Sequence, residues 1–145
     1  MHSEGTFTTK APVNKVYAFL LNPNEMSRCL PDLQSVNVKD EGRFEAIVKL
    51  GVGPVKGNFK FHLTVLEKDP PRHARIKAQG SGSGSSIDLD ATMNLEPANG
   101  GTLMKWQAET KLAGLIATIG QRLISGTTER TVNEFFSCIK QKMEA

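Results

Sequence analysis

Cysteine, histidine and large aromatics are all scarce in this 145-residue sequence. Two cysteines, Cys29 and Cys138, cannot build a disulfide-rich scaffold, and no Cys/His spacing fits a metal site. Both thiols are expected to be reduced and structural. The three histidines offer no base for a nucleophile. His2 is terminal, His62 falls on the outward phase of a strand, and His73 lies in a proline-rich turn. With one Trp, one Tyr and seven Phe, there is no basic-aromatic interleaving of the kind that stacks nucleobases. A net charge of +3 is too small to argue for nucleic acid. No apolar run approaches the ~18 residues of a membrane span. The opening MHSEGTFTTK lacks the apolar centre of a signal peptide. These absences lead to the expectation of a cytoplasmic protein with no nucleic-acid partner, no metal and no cofactor.

What is present is enough for one core. Hydrophobic residues make up 39% and charged residues 23%, an ordinary globular balance, so residues 1–145 are read as a single domain. The last third, Leu115 to Met143, holds no proline and reads as one long helix of about 43 Å at ~1.5 Å per residue. Its apolar positions recur every four. One row is Ile119, Leu123, Thr127, Thr131, Phe135, Ile139 and Met143; a second is Ile116, Gly120, Ile124, Thr128, Val132 and Phe136. A step of four drifts by about 40° on a 3.6-residue helix, so the stripe wraps and must meet neighbours on several sides. Its middle is small and hydroxylated (Gly126, Thr127, Thr128, Thr131). A tight crossing explains this, and so does a hollow beneath the helix.

Before the helix the pattern has period two. Gly5 to Lys10 reads as a short strand. Ala11-Pro12 then opens a first helix, Asn22-Pro23 ends it, and Asn24 to Leu30 makes a second short one. Leu33 to Lys39 and five alternating segments follow. Phe44, Ala46, Val48 and Leu50 share one face, as do Phe59, Phe61, Leu63 and Val65; Ile76 and Ala78; Ile87 to Leu95; and Met104, Trp106 and Ala108. The turns fall at Asp40-Glu41-Gly42, Gly51-Val52-Gly53-Pro54, Asp69 to His73, Gly80 to Ser86 and Asn99-Gly100-Gly101. Gly51 and Gly53 are free to take positive φ, and the GSGSGSS run is expected to form a mobile loop, a lid in the functional reading. The fold class is therefore α+β. A curved antiparallel seven-stranded sheet should wrap around a long C-terminal helix, with two short helices after strand 1.

This layout is similar to the helix-grip fold of the START and polyketide-cyclase (SRPBCC) superfamily. More closely, the chain resembles the family of the carbon monoxide dehydrogenase G subunit. The matching residues are Ala11-Pro12 with Val16 and Phe19-Leu20-Leu21, Cys29-Leu30-Pro31, and Gly51 to Gly57 (GVGPVKG). Asp69-Pro70-Pro71, Gly120 to Ile124 (GQRLI) and Phe135-Phe136 complete the set. GVGPVKG is the most specific; it lacks the spacing of a phosphate loop and reads as a tight strand connection. Family members often continue into a tail proposed to reach the membrane, and this sequence stops at Ala145. The resemblance implies a role in the maturation or membrane recruitment of a molybdenum-containing dehydrogenase. A quinone is the ligand that would join such an enzyme to a respiratory membrane.

The inward strand phase carries no Asp, Glu, Lys or His, so no general acid or base is evident and no catalytic residue is assigned. A non-enzymatic carrier of a hydrophobic small molecule, quinone or lipid, is expected. Its cavity would be lined by Phe44, Val48, Phe59, Phe61, Met93, Met104, Trp106, Ile119, Leu123, Thr127 and Thr131. Arg122 and Arg130 are candidates for a ligand's polar end. An outward basic cluster (Lys56, Lys60, His62, Arg75, Lys77) would face an acidic partner or a peripheral membrane contact. Two alternatives stay open: an assembly factor with a filled core, and an enzyme of the polyketide-cyclase kind.

Overall fold

A computed structural model describes residues Met1–Ala145. Strand β1 (His2–Thr9) leads into helices α1 (Val13–Leu20) and α2 (Pro23–Met26), the latter extended by a 3-10 turn at Ser27–Cys29. Six strands follow: β2 (Leu33–Asp40), β3 (Arg43–Val52), β4 (Val55–Asp69), β5 (His73–Gly82), β6 (Ser85–Ala98) and β7 (Gly101–Gly114). A 3-10 turn at Leu115–Thr118 precedes helix α3 (Gln121–Met143). All seven strands form one antiparallel sheet in the order β1-β7-β6-β5-β4-β3-β2.

The period-two reading fixes which side of each strand faces α3. Cross-strand partners share a face, and register gives rows such as Thr110–Leu89–Ala78–Leu63–Phe44 and Leu112–Ile87–Gly80–Phe61–Ala46. The main core gathers at the α1 side. Val16, Tyr17, Phe19 and Leu20 of α1 meet Phe44, Met93, Leu95 and Met104 of the sheet and Ile139 and Met143 of α3. Val16, Phe59 and Ile139 are completely buried, each contributing about 1.5–3 kcal/mol by removal from water. Asn22 both ends α1 and caps α2, its side-chain oxygen accepting from the Asn24 and Glu25 N–H groups at 3.0 and 3.2 Å.

Several expectations are corrected. Strand β1 begins at His2 rather than Gly5. The long helix is broken: Ile119 and Gly120 are extended, with ψ of 141° and 143°. The hairpin above causes the break. The Leu115 N–H donates to the Gly84 carbonyl at 3.1 Å and the Ile116 N–H to Ser85 Oγ at 2.9 Å, so the chain cannot enter α3 until it leaves the sheet. GSGSGSS is no mobile loop. Strands β5 and β6 run through it to a two-residue turn, Ser83-Gly84, with φ of 49° and 69°. Gly80 is there for packing, since a Cβ on it would lie 2.3 Å from the Phe61 ring. Of the two turn glycines only Gly53 has positive φ; Gly51 is an ordinary residue of β3.

The cysteines are also corrected. Cys29 and Cys138 form a disulfide, with Cα atoms 5.4 Å apart. Distance along the sequence concealed this, because α3 returns across the 3-10 turn that follows α2. The bond ties the only large helix to the α1–α2 segment. The outward basic cluster is partly neutralised as well. Glu45 accepts from Lys60 and Lys39 at 2.8 and 3.0 Å, while Arg75 donates to Asp90 at 2.7 Å and to Glu67 at 3.4 Å.

Both kinds of tie can be tested by unfolding. The disulfide closes a loop of 109 residues, so Cys29→Ser/Cys138→Ser should cost about 4–5 kcal/mol by chain entropy, read in urea unfolding. A peptide map without reductant should recover the linked peptides. The hydrogen bonds from Lys60 and then Lys39 hold the Glu45 carboxyl down to about 2, against an ordinary 4.5. A lowered carboxylate stabilises the fold fully above its unfolded value. That stability should therefore be lost as pH falls from about 4.5 towards 2, and Glu45→Gln should flatten the decline in acid unfolding curves.

Candidate functional site

Residues on the inner face of β6 and β7 are only half-buried although they point at α3: Leu89, Ala91, Ala108 and Thr110. One helix does not cover the sheet there. Separately, edge strand β1 and α3 run past each other along an open cleft of about 880 Å³, lined by residues 1–8, Trp106 and one side of α3. That volume suits a ligand of drug or cofactor size.

Three aromatic rings form its apolar floor. Phe136 stacks on Phe7 with centroids 5.1 Å apart and meets Trp106 at 5.7 Å. Gly5 makes room for the indole, because a Cβ on Gly5 would lie 3.0 Å from Trp106 Cζ2. From α3 come an apolar row, Thr128, Val132 and Phe136, and a polar row, Gln121, Ser125, Glu129, Asn133 and Ser137. Both repeat every four residues, so each holds one side of the helix with a slow drift. The cleft is framed at both ends. Gln121 Nε2 lies 3.8 Å from Met1 Sδ. At the other end Glu144 accepts from Thr9 Oγ1 at 2.9 Å and from the Lys10 N–H at 3.4 Å. The Thr9 hydroxyl, with the Lys10 N–H, holds the Glu144 carboxyl below the usual range. At the rim, the bond to Glu109 raises the His2 imidazole, with Glu4 adding to it.

The residues expected to line a cavity are distributed over several places. Trp106 is in the cleft floor. Phe44, Met93 and Met104 are buried in the main core, and Val48 and Phe59 in a second cluster on which Phe61 and Ile119 pack. Leu123 is 46% exposed, against the Gly53 turn. Thr127 and Thr131 are half-buried; the Thr131 hydroxyl donates to the Thr127 carbonyl at 2.8 Å, which occupies its proton within the helix. Arg122 and Arg130 are exposed. The cleft residues that sequence reasoning passed over are Gly5, Phe7 and the polar row of α3. The row was visible as Gln121, Ser125, Glu129, Asn133 and Ser137, but nothing in the sequence set it opposite β1.

The chain matches the family model for the G subunit of carbon monoxide dehydrogenase (CoxG) over residues 5–144. It belongs to the CoxG family. Solved structures agree on the fold. A conserved protein from Geobacillus kaustophilus superposes with a TM-score of 0.92 at 24% identity, covering 99% of this chain and 95% of that one. A START superfamily protein from Mycobacterium smegmatis gives 0.77 at 8% identity, with coverages of 99% and 97%. The Zhui aromatase/cyclase from Streptomyces sp. R1128 gives 0.69 at 13%, with 99% and 93%. No curated protein sequence matches the chain. The CoxG chain thus has a START-like helix-grip fold: a curved seven-stranded sheet closed on a C-terminal helix. No helix is long and apolar enough to cross a membrane.

The single tryptophan of this CoxG protein reports on the cleft. Iodide or acrylamide should quench it readily in the wild type, since Trp106 is only half-buried. Ser125→Phe, which narrows the mouth from α3, should cut the quenching constant roughly twofold or more while circular dichroism stays unchanged.

Proposed function

We propose that this CoxG-family domain, residues 1–145, binds a hydrophobic small molecule, a quinone or a lipid, without transforming it. The observation that carries this is the aromatic-floored cleft between β1 and α3. It is open at the side, floored by Phe7, Trp106 and Phe136, and edged by hydrogen-bonding side chains, with Gln121, Ser125 and Asn133 beside His2, Glu4, Glu129 and Lys140. Such a site accepts a flat or chain-like apolar body and leaves a carbonyl or hydroxyl within reach of Gln121, Ser125 or Asn133.

Family membership supports the finer reading, that the protein serves a carbon monoxide dehydrogenase-type molybdenum enzyme in its maturation or membrane recruitment. A bound quinone would take two electrons from the enzyme and two protons from solvent to become the hydroquinone. A cytoplasmic location goes with that partner. The second reading, a cyclase-type enzyme, rests on the fold likeness to the Zhui aromatase/cyclase and would need the rim groups His2, Glu4 and Glu129 to act on a bound substrate.

Quinone analogues should quench Trp106 and raise the thermal midpoint, and solvent extracts of the purified protein should contain a quinone or lipid by mass spectrometry. Ser125→Phe and Thr131→Leu should each weaken uptake about tenfold or more with the fold intact. Empty extracts together with no thermal shift would sink the proposal. Conversion of a polyketide-like substrate, lost in Glu129→Gln, would favour the enzyme instead.

A further inference from the structure

Strands β1 and β2 are the two open edges of the sheet, and they differ. The β2–β3 ladder is interrupted by two register shifts, between Leu33 and Ser35 and between Val38 and Asp40. Such irregularities blunt an edge against a further strand. The β1–β7 ladder runs from His2–Glu109 to Thr9–Thr102 without any. Its phase is fixed at Met1, whose nitrogen donates to the Thr110 carbonyl at 2.7 Å and whose carbonyl accepts from the Thr110 N–H at 2.8 Å. Bonded and non-bonded pairs alternate in an antiparallel ladder. Ser3, Gly5, Phe7 and Thr9 therefore bond to β7, and the N–H and C=O groups of His2, Glu4, Thr6 and Thr8 point away from the sheet. No other part of the main chain takes them up.

All four of these residues line the cleft against α3. Across it stand Gln121, Ser125, Glu129, Asn133 and Ser137, exposed along one side of the helix. The two walls match in length, at ~27 Å for the eight residues of β1 and ~29 Å from Gln121 to Lys140. They also match in period. Outward main-chain groups of a strand recur at roughly 6.7 Å, and the helix row at roughly 6 Å. A strand laid beside β1 would meet a hydrogen-bonding side chain of α3 at each outward step. The side chains of β1 alternate too. Gly5 and Phe7 face inward to the Trp106 and Phe136 rings. Glu4 faces outward, two residues from the His2–Glu109 pair. Glu129 adds a carboxylate on the helix wall, and the cation Lys140 stands at the far end, one turn before the Glu144–Thr9 bond.

We infer that the cleft takes an extended segment of a partner protein, bound as an eighth strand on β1. The segment alternates apolar and basic side chains, the apolar ones turned to Phe7, Trp106 and Phe136 and a basic one set beside Glu4. The two walls select this occupant. A single strand sits ~4.8 Å from its neighbour and can bond to β1 on one side and to α3 on the other. The β1 edge of a second copy arrives with its own α3 in the way. An acidic segment would set like charge against Glu4 and Glu129. The docking does not rest on the small-molecule reading, because its bonds are made by the main chain of β1 rather than by the rings of the floor.

The probes are two capped eight-residue peptides, one alternating Val and Lys and one alternating Val and Glu. Anisotropy of a labelled peptide reads binding to the whole chain, and amide hydrogen exchange reads where it binds. The Val/Lys peptide should bind, and the Val/Glu peptide roughly tenfold more weakly. With the first bound, the amides of His2, Glu4, Thr6 and Thr8 should exchange about tenfold more slowly, while those of Ser3, Gly5 and Phe7 change little. Thr6→Pro removes one free donor and spares the β7 ladder, so it should weaken the peptide roughly tenfold. Glu4→Gln/Glu129→Gln should weaken it roughly threefold or more without altering the main chain, which covers the case of a Thr6→Pro chain that does not fold. Peptide binding without quenching of Trp106 by quinone analogues would sink the small-molecule reading alone; quenching without peptide binding would sink this one alone. Four results would overturn the proposal: no binding of the Val/Lys peptide, equal binding of the Val/Glu peptide, exchange slowed elsewhere than at the β1 edge, or a dimer that protects the same four amides with no peptide present. The last would assign the edge to a second copy of the chain.

Discussion

A seven-stranded sheet that is apolar on one face must bury that face, and this chain offers a single helix of 23 residues to do it. The mismatch in area governs the rest of the structure. The sheet curls so that α3 meets several strands, and α1 fills one side of the concave face with Val16, Tyr17, Phe19 and Leu20. Elsewhere inward residues such as Leu89, Ala91 and Thr110 stay half-buried for lack of a partner. A partly uncovered inner face is the direct result of covering a large sheet with a small lid.

Because one helix closes the fold, its attachment matters more than its own propensity. The helix is fastened by Ile139 and Met143 in the core, by the Cys29–Cys138 bond, and by the Glu144 carboxylate on β1. All three lie at its C-terminal end. The N-terminal half meets the β3–β4 turn through the exposed Leu123 and buries Ile124 with Val52 and Ile116. Fastening is strongest far from the β3–β4 and β5–β6 turns and weakest beside them. The cleft runs along the whole length between these two regimes, from Met1–Gln121 to Thr9–Glu144.

Charge follows the same division. On the convex face and at the α1 end, carboxylates and cations alternate and pair, as in the Glu45–Lys60–Lys39 and Arg75–Asp90–Glu67 groups. Those groups fix strand register at little net energy. At the hairpin end Lys49, Lys56, Lys111 and Arg122 form no ion pair, although Asp88 stands across the strand from Lys111.

Alternation in β3 to β7 determined the sheet, its wet and dry faces and its antiparallel order, because a period of two is a local property of the chain. Ala11-Pro12 and Asn22-Pro23 likewise marked the short helices, since proline acts on its own backbone. The motifs from Ala11 to Phe136 made family resemblance readable over nearly the whole length. Three features were decided only by the tertiary structure. Ile119 and Gly120 leave the helix because the β5–β6 hairpin holds Leu115 and Ile116, and a helical pattern cannot register a hydrogen bond to Ser85. Cys29 meets Cys138 because α3 crosses the turn after α2, a contact over 109 residues. The polar row of α3 becomes the wall of a cleft because β1 is the sheet edge that passes it. Periodicity says which residues share a face, but what that face meets depends on the curl of the whole sheet.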